Sequence, residues 1–93
     1  MIVPADADAS AALAPRYRNA ALGGIAVSRA GDATVFDFGE WRSAVASRRN
    51  PDGTTSFLTI APGLVGFEFV VSTASRRSLT LRDAQHEYVF AEE

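Results

Sequence analysis

Turn signals recur every eight to twelve residues from Tyr17 to Phe90, and between them lie short runs of alternating apolar and polar side chains. Nothing in that interval sustains the 3.6-residue period of an amphipathic helix. This rhythm points to an all-β fold of about eight short strands with tight connections. An antiparallel up-and-down barrel is the expected arrangement, because closing a meander removes its exposed strand edges.

The runs can be read residue by residue. Ile25 and Val27 alternate with small or polar neighbours before a turn at Ala30-Gly31-Asp32. Thr34, Phe36 and Phe38 share one strand face, and Val35 and Asp37 take the other. After Gly39-Glu40, Trp41, Ser43 and Val45 alternate again. Asn50-Pro51-Asp52-Gly53 is the clearest hairpin tip: proline presets φ, aspartate suits the next turn position, and glycine supplies a positive φ. Thr55 to Ile60 forms the return strand, ended by Pro62-Gly63. Phe67, Phe69 and Val71 then share a face opposite Glu68 and Val70. Polar turns are expected at Ser72 to Arg77 and at Asp83-Ala84-Gln85. Leu79 and Leu81 alternate between them, and Tyr88 and Phe90 follow in the last strand.

Six phenylalanines, Phe36, Phe38, Phe57, Phe67, Phe69 and Phe90, are expected to point to a common interior. Strands of five or six residues supply about two or three interior layers, which these rings nearly fill. A packed core is therefore expected over an internal ligand cavity. With 47% apolar residues the chain has the material for one core in a single domain.

Residues 1–15 differ from the rest. The run from Ala5 to Ala14 is alanine-rich, lies between Pro4 and Pro15, and has Leu13 as its one large apolar side chain. Alanine favours a helix, but such a helix has little to bury. A linker is the preferred expectation and a short frayed helix the alternative, with the barrel domain over residues 16–93. Met1 to Asp8 shows neither the basic nor the apolar region of a signal peptide.

The inventory narrows the chemistry. There is no cysteine and no lysine, and His86 is the single histidine. Disulfides, thiolate catalysis and cysteine-ligated zinc are excluded. No cofactor or metal is expected, because one histidine and scattered carboxylates show no ligand spacing. A serine triad would need His86 as base, but no Gly-x-Ser-x-Gly elbow presents a nucleophile, and His86 reads as a rim residue. Asp37, Glu68 and Glu87 fall on the face opposite the phenylalanines, so with Glu40 they read as solvated charges rather than a carboxylate pair. A net charge of −2 gives no electrostatic drive toward nucleic acid, and no run approaches a membrane span.

The stretch from Leu13 to Val27, Leu-Ala-Pro-Arg-Tyr-Arg-Asn-Ala-Ala-Leu-Gly-Gly-Ile-Ala-Val, resembles the opening of the lipocalin-like barrel appended C-terminally to many serine β-lactamase-related, penicillin-recognising hydrolases. Asp52 to Phe57, Gly66-Phe67-Glu68-Phe69 and the closing Glu87-Tyr88-Val89-Phe90 fit the same pattern, so the resemblance covers roughly residues 13–91. It implies an eight-stranded barrel that supports a catalytic domain, shapes its cleft or mediates self-association. It carries over no catalytic residue, since the family's Ser-x-x-Lys cannot occur in a chain without lysine. Tyr17-Arg18-Asn19 matches the formal Tyr-x-Asn pattern of the parental enzymes, and is read as coincidence because Tyr17 opens the barrel.

The expected function is thus that of a non-catalytic accessory barrel whose partner is the catalytic domain of a parent hydrolase, or a second copy. The alternative is a stand-alone barrel that binds a small ligand. Interface candidates are Trp41, an aromatic anchor or a barrel-end plug, and the turn-flanking pairs Arg48-Arg49 and Arg76-Arg77.

Overall fold

The computed structural model describes residues 1–63, 66–73, 76–82 and 86–93. A short helix α1 (Ala7–Ala11) precedes strands β1 (Arg16–Asn19), β2 (Gly23–Ala30), β3 (Ala33–Asp37), β4 (Arg42–Arg49), β5 (Thr55–Thr59), β6 (Glu68–Ser72), β7 (Ser78–Arg82) and β8 (Glu87–Glu92). Each strand pairs antiparallel with the next, and β1 pairs with β8 to close an eight-stranded up-and-down barrel. The closing register sets Tyr17 opposite Glu92 and Arg18 opposite Ala91.

The hairpin tip forms between β4 and β5 as its residues dictate. Gly53 holds φ +91° and its N–H donates to the Asn50 carbonyl at 3.0 Å. The Asp52 carboxylate accepts from the Thr54 N–H and hydroxyl at 2.9 and 2.7 Å. The expected turns after β6 and β7 run through residues 74–75 and 83–85, which lie outside the described residues.

Alternation delivers the core. Tyr17, Ile25, Phe36, Val45, Phe57, Phe69, Leu79 and Phe90 are buried inside the barrel. Phe36 is the hub, with ring centroids 5.8 Å from Phe57 and 5.5 Å from Phe69, the latter edge to face. Phe90 meets Phe69 at 6.2 Å. Burying each such ring contributes about 1.5–3 kcal/mol relative to exposure. These buried side chains form one cluster inside the barrel.

Two of the six phenylalanines depart from the expected common interior. Phe38 is half-buried and Phe67 is 43% exposed. Both have the inward register, but Phe38 lies just past the end of β3 and Phe67 just before β6. Alternation assigns a face; height along the barrel axis decides burial, and these two rings stand at one mouth.

The lead docks on the barrel. A short helix is present, yet residues 1–15 are not a free linker. Asp6 caps α1 by accepting from the Ala9 N–H at 2.9 Å. Its own N–H donates to Ser47 Oγ at 2.9 Å. Thr34 Oγ1 donates to Ser10 Oγ at 2.8 Å, with both residues buried. Ala5, Leu13 and Ala14 join the core cluster. Ile2 exchanges backbone hydrogen bonds with Ser47 at 2.7 and 3.0 Å, extending the sheet along β4 where β3 no longer pairs with it. The lead finds enough to bury because it enters the barrel end, where inward-facing Thr34 and Ser47 are small and polar.

Candidate functional site at the open end of the barrel

In an up-and-down barrel the connections alternate between ends. The β2–β3, β4–β5 and β6–β7 connections share the end closed by the lead. At the opposite end, Leu22 from the β1–β2 connection, Phe38, Glu40 and Trp41 from β3–β4, and Phe67 from β5–β6 rim a cleft of about 510 Å³. Phe69, Leu81 and Phe90 form its floor, which is the top of the packed core.

Local sequence fixes this rim. Asp37 Oδ1 accepts from the Gly39 N–H at 2.8 Å, and Gly39 adopts φ +99°. That Asx turn lets the Phe38 N–H donate to the Trp41 carbonyl at 2.9 Å, bringing the two aromatics together across the connection. Their rings stack with centroids 4.0 Å apart and planes 29° apart. Phe38 also stacks on Phe69 at 5.7 Å, so aromatic contact runs from the core to the surface. Trp41 meets Phe67 at 6.2 Å. Across the rim, Asn19 Oδ1 accepts from the Ala21 and Leu22 N–H groups at 2.8 and 2.9 Å, while its amide donates to the Val89 carbonyl at 2.9 Å. Leu22, Trp41 and Phe67 remain exposed there.

Trp41 therefore both packs and presents a face, covering Phe38 on one side and staying 38% exposed. The arginine candidates are elsewhere. Arg48 and Arg49 end β4, and Arg76 and Arg77 precede β7, all at the lead-closed end. Arg48 pairs with Glu68 at 2.6 Å and donates to Asn50 at 3.1 Å. Ser56 Oγ also donates to Glu68 at 2.6 Å, and this bond, with Arg48 beside it, holds the Glu68 carboxyl below the usual range. Arg77 grips Glu92 through its backbone N–H at 2.8 Å and its guanidinium at 3.0 Å, and reaches the Ala12 carbonyl at 3.3 Å. Arg76 donates to the Glu92 carbonyl at 2.7 Å. These bonds tie the lead, β7 and β8 together, and they lower the Glu92 carboxyl chiefly through the Arg77 N–H. Arg49 is exposed.

The remaining sequence candidates scatter. His86 is exposed and stacks on Tyr88 at 6.0 Å. Glu87 pairs with Arg82 at 3.6 Å on the surface, and Asp37 is committed to its turn. Among the described residues no three His, Cys, Asp or Glu side chains gather to hold a metal. Tyr17 is fully buried, and its hydroxyl accepts from the Ala14 N–H at 2.9 Å; burial pushes its phenol above the ordinary value. Tyr-x-Asn is thus an architectural pair here, Tyr17 seating the lead and Asn19 shaping the rim.

A larger hollow of about 590 Å³ lies on the outer wall against Thr54, Val70, Ser72, Thr80, Arg82 and Glu87. Its two described charges, Arg82 and Glu87, pair with each other, and its described lining is mostly polar and aliphatic. The mouth, although smaller, is the more selective surface, because five of its eight described lining residues are aromatic and one is charged. The rim composition was missed at the sequence level except for Trp41. Its signal was an aromatic on each side of Gly39-Glu40 and another directly after Gly66.

Comparison with protein-family models, curated proteins and solved structures finds no match to this chain.

Proposed function

We propose that the chain is a non-catalytic accessory barrel of a β-lactamase-like serine hydrolase, supporting the catalytic domain and its cleft through the open end. The observation that carries this reading is the one-sided distribution of aromatic surface. The chain's own lead packs into one end, aromatic side chains cluster in the interior, and Leu22, Trp41 and Phe67 are presented together at the other end. Aromatic residues in such a cluster are suited to anchor a partner surface. The resemblance over residues 13–91 supplies the parent class, and an eight-stranded closed barrel is compatible with it.

Two measurements test this reading. Translation of the coding locus in frame upstream of Met1 is expected to reveal Ser-x-x-Lys; a stop codon and ribosome-binding site there would overturn the accessory role. The isolated chain is expected to leave chromogenic β-lactams and esters intact, and sustained turnover would overturn the non-catalytic reading.

A second reading, a stand-alone small-ligand barrel, is favoured by the cleft itself. Its 510 Å³ falls within the ~300–1,000 Å³ range of ligand pockets, although the space lies at the mouth above a packed interior.

A further inference from the structure

We infer that the open mouth is a site for an organic cation: an ammonium group carried on a flat or compact apolar body. The inference rests on the small-ligand reading and assigns the ligand's chemistry. Phe38, Trp41, Phe67, Phe69 and Phe90 line the cleft, and among the described residues Glu40 is its one ionisable lining residue. Ring faces carry negative electrostatic potential and attract cations, tryptophan most strongly. A carboxylate on the same rim adds attraction for positive charge and repels a carboxylate or phosphate head. Among the described residues neither an arginine nor a histidine lines the cleft to receive an anion.

The geometry sets how such a ligand would sit. Trp41 is held flat against Phe38 by the turn at Gly39 and stays 38% exposed at the mouth. Phe67 stands 6.2 Å from Trp41 with the planes tilted by 33°, forming the second wall. Leu22 and Leu81 complete the apolar lining on which the ligand's body would pack. The cleft is broad enough for a benzyl-sized group. The charged head would remain near the rim, where Glu40 is exposed and the ammonium keeps part of its hydration.

Trp41 is the single tryptophan of the chain, so its fluorescence reports on this site alone. The probes are benzyltrimethylammonium, its neutral tert-butyl analogue and the benzylsulfonate anion, titrated by tryptophan fluorescence and by calorimetry. The cation is expected to bind about tenfold more tightly than the neutral analogue, with the anion weakest. Glu40→Gln is expected to shrink the cation's preference several-fold without affecting the neutral probe. Phe67→Ala, at an exposed position, is expected to weaken the cation several-fold while the barrel stays folded. Trp41→Ala, followed by calorimetry, is expected to abolish binding. Equal or tighter binding of the neutral analogue would overturn the cation assignment and leave the ligand reading standing. Absence of binding by all three probes would overturn both.

Discussion

The Trp41 indole lies on the Phe38 ring, with centroids 4.0 Å apart, across a connection whose backbone closes through the Phe38 N–H and the Trp41 carbonyl at 2.9 Å. This pair couples the packed interior to the exposed mouth, since Phe38 also stacks on Phe69 and touches Phe36 at 6.4 Å. A side chain that is 38% exposed thereby becomes part of the barrel's structure.

Trp41→Ala is therefore expected to lower unfolding free energy by about 1–2 kcal/mol, more than an isolated surface residue would, because stacked aromatic pairs add to area burial. Trp41→Phe should retain most of that stability. Urea denaturation midpoints of the two variants check both expectations.

Gly39 places the pair. A Cβ there would meet no atom within 4 Å, so any penalty arises from its φ of +99° rather than from a clash. Gly39→Ala is expected to lower stability by about 1 kcal/mol or more and to change the Trp41 emission spectrum. An unchanged spectrum with unchanged stability would show that the turn does not position the indole.

The lead should behave as a plug. Leu13→Ala is expected to destabilise the barrel by about 2–3 kcal/mol, toward the lower end for a leucine at the edge of a core. Tyr17→Phe removes the acceptor of the Ala14 N–H and should lower stability by about 1–3 kcal/mol, because that donor is left buried and unpaired. A flexible linker would make Leu13→Ala silent. Denaturation of both variants against the parent chain decides this.

Strand number, closure and most of the core were legible because period-2 alternation reports directly which residues face inward. Phe36, Phe57, Phe69 and Phe90 follow from it. Phe38 and Phe67 share that register but sit at strand ends, and alternation does not encode axial height. The docked lead was hidden for a different reason. Its alanines and Ser10 look unable to form a core until Thr34 and Ser47, small polar residues in inward register, are seen as its receptors. The arginine pairs likewise read as free surface charge, because the partnership of Arg77 with Glu92 and the Ala12 carbonyl depends on barrel closure.

Acid is expected to weaken the fold at its seams. Hydrogen bonds from Thr54, Ser56 and the Arg77 N–H hold Asp52, Glu68 and Glu92 below the ordinary carboxylate range. With folded values depressed, their stabilisation is complete above the unfolded carboxylate values near pH ~4 and is lost as pH falls through the lower folded values. Glu68 and Glu92 are partly exposed and Asp52 is exposed, so the loss is screened and modest. Urea midpoints measured from about pH 7 to about pH 2.5 should decline at the acid end, and Glu68→Gln should flatten part of that decline.

Tyr17 gives the opposite window. Burial raises its folded value, so its contribution is complete below the ordinary phenol value near ~10 and is lost as pH rises through the folded value. Ultraviolet titration should show phenolate formation at this residue lagging behind a free phenol until the barrel unfolds.

The most direct test of an open-ended site above a closed barrel is amide chemical-shift mapping with benzyltrimethylammonium. The account predicts shifts concentrated at Leu22, Phe38, Glu40, Trp41 and Phe67, with the lead and the arginine turns unmoved. Shifts centred on Arg76 and Arg77 or on the Thr54–Thr80 wall, or none at the mouth, would contradict it.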